Sequence, residues 1–244
     1  MNLEKMIHGD MPGDKIAIEP QHEQKAEIIY PVLRSMLPEG KTVICVCGGS
    51  GVGKSEIASL LATRLTEDGI PAYVMSGDNY PHRIPVENDA ERERVYAEGG
   101  REALEGYLGT PLEIDFDLVN RILADFKAGK SPISMKRMGR TPEEKWFDEV
   151  DFRNTRVLIL EWTHGNSDYI QGVDIPILLN STPEETLAHR RARARDKGVD
   201  SPFTTMVLEI EQEKLKRQAH KAKMIVSKSG ELISYDEFRA VMGV

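Results

Sequence analysis

An α/β fold built on a parallel sheet is what this sequence predicts, and three observations predict it. Five short apolar runs show no alternation with polar residues, the pattern of strands buried on both faces. Segments of helical period lie between most of them, so the chain reads as repeated strand–helix units. A glycine-rich turn follows the first run and leads directly into the first core helix.

Taken in order, residues 1–40 are polar and proline-punctuated, with one helix over 24–37, and read as an N-terminal helical extension. Thr42-Val43-Ile44-Cys45-Val46-Cys47 is the first buried strand, and residues 72–75, 157–160, 175–179 and 224–226 have the same character. Over 55–67, Ile57, Leu60, Leu61 and Leu65 share one helical face. Over 117–127, Leu118, Ile122, Leu123 and Phe126 do the same, and Gly129 follows as a stop. Thr182-Pro183-Glu184-Glu185 is a helix start with Thr at the N-cap, Pro at N1 and Glu185 closing a capping box. That helix is expected to reach residue 197, and a last long one covers 202–222. Residues 81–155 hold few strand candidates and read as a helical insertion on the acceptor side of the sheet. The expected division is therefore an extension (1–40), one domain (41–230) carrying that insertion, and a C-terminal tail (231–244).

Composition narrows the function. The chain has 244 residues, 40% hydrophobic and 30% charged, enough for one sizeable core. Its 32 Lys and Arg against 40 Asp and Glu give a net charge of −8, which argues against a nucleic-acid binder. The longest apolar run is about six residues where a membrane span needs roughly 20, and no secretory signal pattern opens the chain. Cys45 and Cys47 point the same way from one strand, so two buried free thiols in a reducing cytoplasm are expected.

The strongest chemical signal is Gly48-Gly49-Ser50-Gly51-Val52-Gly53-Lys54-Ser55, which matches G-x-x-x-x-G-K-[ST] at every fixed position between a strand and a helix. Glycines let successive N–H groups converge on phosphate oxygens, and the helix N-terminus adds positive potential. Lys54 can reach the β- and γ-phosphates of ATP, and the Ser55 hydroxyl can ligate Mg²⁺.

Other strand ends carry the rest. Ser76-Gly77-Asp78-Asn79-Tyr80-Pro81-His82-Arg83 follows the second strand, where ligands lie in open α/β sheets. Asp78 there can take the proton of a substrate hydroxyl and help hold Mg²⁺, or simply cap the next turn. His82 and Arg83 can grip an anionic acceptor, with a plain surface role equally open for His82. Val157-Leu158-Ile159-Leu160 ends in Glu161, matching the pattern whose carboxylate orients Mg²⁺. Trp162 and His164 can wall an acceptor pocket, and Trp162 as plain core is the alternative. Arg190, Arg191, Arg193, Arg195 and Lys197 against Asp196 make a local charge of +4, which suits a lid over transferring phosphate. Lys136, Arg137 and Arg140 form a second basic stretch, either for an acidic or phosphorylated acceptor or as a solvated loop.

Together these stretches resemble the uridine kinase, phosphoribulokinase and pantothenate kinase group over roughly residues 41–227. Residues 111–130, with Asp115-Phe116-Asp117-Leu118, resemble that group's helix before the acceptor region. The resemblance implies a P-loop NTPase three-layer sandwich, a five-stranded parallel sheet of order 2-3-1-4-5, and a helical insertion and lid. It also implies transfer from MgATP to a hydroxyl, with Asp78 as acid/base, Lys54 and Ser55 on ATP and Mg²⁺, and Arg191 and Arg195 in the lid. The group's nucleoside-binding aromatic stretch is replaced here by Ser134-Met135-Lys136-Arg137, which points away from nucleosides. Residues 76–82 separately resemble adenylylsulfate kinases, making that the second expectation. An ATP-binding regulatory switch is the rival from another class. A small-molecule acceptor is the expected partner, with no nucleic acid or membrane, and a homodimer is left open.

Overall fold

The computed structural model of the protein describes residues 6–193 and 201–243. Its main sheet has six strands in the order β2 (Ala72–Ser76), β5 (Val157–Glu161), β1 (Thr42–Gly48), β6 (Ile175–Leu179), β7 (Met224–Val226) and β8 (Leu232–Ile233). All neighbours are parallel except β8, which runs antiparallel to β7. The sheet is thus one strand larger than the five expected. Leu232 and Ile233 are too short a pair to register as a strand before their partner β7 is in place. Helix α7 (Tyr235–Met242) follows and buries Phe238, so residues 231–243 are part of the body and not a loose tail.

β1 shows why unalternating strands are central. Ile44 and Val46 face α1 (Pro20–Met36) and α2 (Lys54–Glu67), where Ala26, Ile29, Leu33, Leu60 and Leu61 are fully buried. Val43 packs on the opposite face with α4 (Phe116–Lys127), and Cys45 and Cys47 lie on that face beside Phe238. Both cysteines are free and buried, and burial pushes the Cys45 thiol well above its ordinary value.

The first forty residues are not an appendage. α1 supplies a wall of the main core, and Gly9 pairs with Val74 along the free edge of β2. Leu33→Ala should therefore lower unfolding free energy by about 2–5 kcal/mol, the cost of an unfilled core site. A urea titration checks this, because an appended helix would leave the midpoint of the main transition unmoved.

The insertion is only partly helical. It holds α3 (Pro85–Tyr107), broken at Gly100 (φ 66°, ψ −160°), then α4, and then an antiparallel hairpin of β3 (Ile133–Met138) and β4 (Lys145–Val150). β4 is exposed over most of its length, so it carries no buried-strand signal, and β3 contains Lys136 and Arg137. Among the described residues no helix is long and apolar enough to cross a membrane.

Register then sets the site. Val46 pairs with Glu161 and Glu161 with Ser76, which brings the ends of β1, β5 and β2 to one edge of the sheet. The glycine loop begins two residues beyond that row.

Candidate active site

α2 starts from Gly53, whose φ of 92° lies in the left-handed region that glycine tolerates best. A Cβ there would also stand 2.8 Å from the His22 ring, so α1 closes on the back of the loop. Lys54 Nζ donates to the Gly49 carbonyl at 3.0 Å, folding the lysine across the loop that a phosphate chain would occupy. Ser55 Oγ donates to Glu161 Oε2 at 3.2 Å, and Ser76 Oγ donates to Glu161 Oε1 at 2.6 Å.

Glu161 sits in that row with 5% exposure. Burial first, and then the neighbouring charge of Asp78, push its carboxyl up to about 8, while Lys54 and the Ser76 hydroxyl pull the other way. A carboxyl held so far from its ordinary value is a site where a cation would do what protons do in its absence. The surrounding donors are hard oxygens: Ser55 Oγ, Glu161 and the exposed carboxylate of Asp78. Among the described residues no group of three or more His, Cys, Asp or Glu is arranged to hold a metal ion by itself. The hard-oxygen donors fit Mg²⁺, which takes one or two carboxylates and keeps water and substrate phosphate oxygens as its other ligands.

Asp78 occupies a short 3₁₀ turn, Gly77–Asn79, at the end of β2. The turn rests on Trp162: a Cβ at Gly77 would overlap the indole ring. Trp162 is buried, with Phe116 at 5.6 Å and His164 at 5.6 Å between ring centres, so it is packing beneath the turn and not a pocket wall.

Helix α5 (Pro183–Arg193) begins with the expected reciprocal bonds, Thr182 N–H to Glu185 Oε2 at 2.8 Å and Glu185 N–H to Thr182 Oγ1 at 3.3 Å. Arg190 is the residue it sets against the loop: a Cβ at Gly51 would be 2.7 Å from Arg190 Cγ, and Arg190 Nη2 donates to the Pro183 carbonyl at 2.7 Å. Arg191 is exposed on the same helix, and Arg195 lies outside the described residues. α6 (Pro202–Gln218) closes the other side, leaving a narrow cleft lined by Gly49, Ser50, Thr182, Pro183, Thr186 and Glu211. Glu211 lies within electrostatic reach of Lys54 and Asp78, and burial raises its carboxyl. Sequence reading passed over it, since one acid on a long amphipathic helix carries no local signal.

The expected acceptor-side cations do not converge. Arg137 donates from Nη1 to Asp10 at 2.8 Å, from Nε to Asp148 at 3.1 Å and from Nη2 to the Tyr73 hydroxyl at 3.0 Å. Lys136 Nζ donates to the Pro81 carbonyl at 2.7 Å, and Arg140 lies exposed beyond the end of β3. Arg83 donates to the Tyr107 hydroxyl at 3.2 Å and pairs with Glu91 at 3.5 Å. A cationic cradle for an acidic acceptor is therefore not assembled by these four. His82 is exposed, with Nε2 3.0 Å from the Pro111 carbonyl, at the rim of an open groove of about 300 Å³. That groove is lined by Asp115, Asp117, Asn120, Asp168 and Tyr169 as well as His82.

His164 turns inward, its Nδ1 2.6 Å from where a Cβ of Gly109 would be. Burial lowers its pKa to about 4, against the Glu113 carboxylate, which favours the charged ring. The folded value lies below the unfolded one, so the folded state takes up fewer protons between them. Its contribution to stability is present above about pH 6.5 and is lost as pH falls toward 4, by at most about 3 kcal/mol. Melting temperature from pH 7 to pH 4.5 should fall less steeply in His164→Gln than in the unmodified chain; parallel curves would place the proton elsewhere.

The Phosphoribulokinase / Uridine kinase family matches residues 43–202, about two thirds of the chain. A bifunctional alpha-galactosidase/sucrose kinase of Mediterraneibacter gnavus is 50% identical over 192 residues, 79% of this chain but only 20% of that protein. The chain thus spans about one fifth of that relative. The structure of a possible uridine kinase from Bacillus stearothermophilus superposes with a TM-score of 0.61 at 15% identity, covering 83% of this chain and 97% of the other. A D-glycerate 3-kinase from Cryptococcus neoformans var. grubii gives 0.53 at 12% identity, covering 89% and 99%. At such identities the two structures speak for the fold. Glycine loop, strand-end carboxylates and family match agree: the chain belongs to the phosphoribulokinase/uridine kinase family.

Proposed function

We propose that the protein transfers the γ-phosphoryl group of ATP to a hydroxyl of a neutral carbohydrate. The loop amides of residues 48–55 and Lys54 bind the phosphate chain, and Arg190, with Arg191, offsets charge on the transferring oxygens. Asp78 accepts the proton of the acceptor hydroxyl as its oxygen bonds to phosphorus and the bond to ADP breaks. Mg²⁺, held by Ser55 with Glu161 and Asp78 near it, would neutralise charge on the β- and γ-phosphate oxygens.

The observation that carries the sugar reading is the groove beside the Asp78 turn. Among the described residues no Lys or Arg lines it. Carboxylates that can only accept hydrogen bonds, as at Asp117, match hydroxyl donors and repel anions. Tyr169 lies 45% exposed beside Phe116, offering a ring face to an apolar sugar face. Asn120 holds the loop behind it, donating to the Tyr169 carbonyl at 2.8 Å and accepting from Gln171 N–H at 2.9 Å. The expectation of an anionic acceptor gives way here, because the basic residues behind it are engaged elsewhere. The kinase activity in the Mediterraneibacter gnavus relative's name, on sucrose, supports the same substrate class.

Coupled ADP release from MgATP with a panel of sucrose, other di- and monosaccharides, D-glycerate, uridine and adenylylsulfate tests this. Release dependent on a neutral sugar is expected. Release dependent on adenylylsulfate alone would favour the second sequence expectation, and slow acceptor-independent hydrolysis alone would favour a nucleotide switch.

A further inference from the structure

Ahead of α1, the residue after Gly9 buries a carboxylate against the catalytic turn. The Asp10 side chain is 7% exposed. Its Oδ1 accepts from Ser76 N–H at 2.7 Å and from Asn79 Nδ2 at 3.1 Å. Its Oδ2 accepts from the Tyr73 hydroxyl at 2.9 Å and from Arg137 Nη1 at 2.8 Å. Ser76 and Asn79 are the two residues that bracket Gly77-Asp78. Asn79 Oδ1 in turn accepts from Met138 N–H at 3.1 Å, at the end of β3. Ser76 passes the linkage on through its hydroxyl to Glu161, and Glu161 meets Ser55. One buried carboxylate thus joins the hairpin, both ends of the acid/base turn, the strand-end acid and the glycine loop.

Stability alone is a weak reason for such an arrangement, since a buried ion pair is often matched by apolar residues of similar volume. Charge-assisted hydrogen bonds of fixed geometry do hold a short turn against rotation. We infer that Asp10 is a positioning residue for phosphoryl transfer. It clamps the turn on both sides of Asp78 and keeps that carboxylate at one spacing from the β3–β4 hairpin. The inference rests on reading Asp78 as the base. Asp10 lies outside the 43–202 span of the family match.

Asp10→Asn leaves the buried Arg137 guanidinium with only the half-exposed Asp148 as counter-charge and can weaken folding, so Asp10→Asn/Arg137→Gln, which removes both members of the buried pair, accompanies it. Each is compared with the unmodified chain and Asp78→Asn on the sugar that the unmodified chain phosphorylates. Sites are counted by MgADP calorimetry. Both Asp10 variants should lose at least about 20-fold in kcat per MgADP-binding site with KM for MgATP within about twofold, the pattern of a displaced catalytic group. A merely structural contact would reduce the number of binding sites and leave kcat per site unchanged, and that result overturns the inference. Wild-type kcat in the Asp10 variants beside a slow Asp78→Asn overturns it too and leaves the base in place. Wild-type turnover in Asp78→Asn, or no acceptor in the panel, removes the base reading and the inference with it.

Discussion

Asp78→Asn is expected to cut turnover by about 10²-fold or more, the usual contribution of a positioned base, while MgADP binding stays close to that of the unmodified chain. The residue stands exposed on the turn after β2, beside the row that register draws across Ser76, Glu161 and Val46. Its amide replacement keeps the shape but has no basic oxygen for the acceptor proton. In the proposed reaction most of the ATP side depends on other groups: loop amides, Lys54 and α5. Removing the Asp78 charge also relieves Glu161, whose carboxyl it helps to raise. Glu161 should ionise more readily in the variant, which offsets the loss of the Asp78 charge near the Mg²⁺ site. Steady-state kinetics on the accepted sugar, with MgADP calorimetry, separates the two effects. Equal losses in affinity and turnover would make Asp78 a ligand of the nucleotide and not a base.

Gly77→Ala should be the more damaging of the two for the protein as a whole. The new methyl would occupy space held by the Trp162 ring. Trp162 cannot retreat cheaply: Phe116 and His164 flank its ring, and its backbone N–H donates to the Val46 carbonyl at 3.0 Å. The turn must move instead, and it carries Asp78. Overpacking of this kind costs about 1–3 kcal/mol, and displacing a catalytic group by about 1 Å costs on the order of 10² in rate. Thermal melting and kcat should fall together. Trp162→Ala should lower the melting temperature less in the Gly77→Ala chain than in the unmodified one, because the new methyl fills part of the space the indole leaves. A Gly77→Ala chain that melts and turns over like the original would mean that the turn does not rest on the indole.

The glycine loop, the parallel strands and the capped start of α5 were legible because each is a local fact. A loop that cradles phosphate needs glycines at set intervals, a central strand needs unbroken apolar residues, and Thr182 and Glu185 cap α5 within one turn. Glu161 was legible for the same reason, as an acid ending an apolar run. The hairpin was not. β4 is a strand because β3 pairs with it, and its exposed residues carry no period of their own. Nor could sequence sort the basic stretch: Lys136, Arg137 and Arg140 are close neighbours, yet they end on a carbonyl, on buried Asp10 and in solvent.

By itself, then, the sequence determined the fold class, the phosphate loop and the residues at the strand ends, because local chemistry dictates all three. Only the tertiary structure decided that α1 and residue 10 pack onto the sheet, that Arg190 meets the loop, and that the groove beside His82 is acid-lined. The physical reason is distance along the chain. Asp10 and Arg137 stand 127 residues apart, and such partners are chosen by how the sheet and insertion pack, not by any pattern their neighbours display.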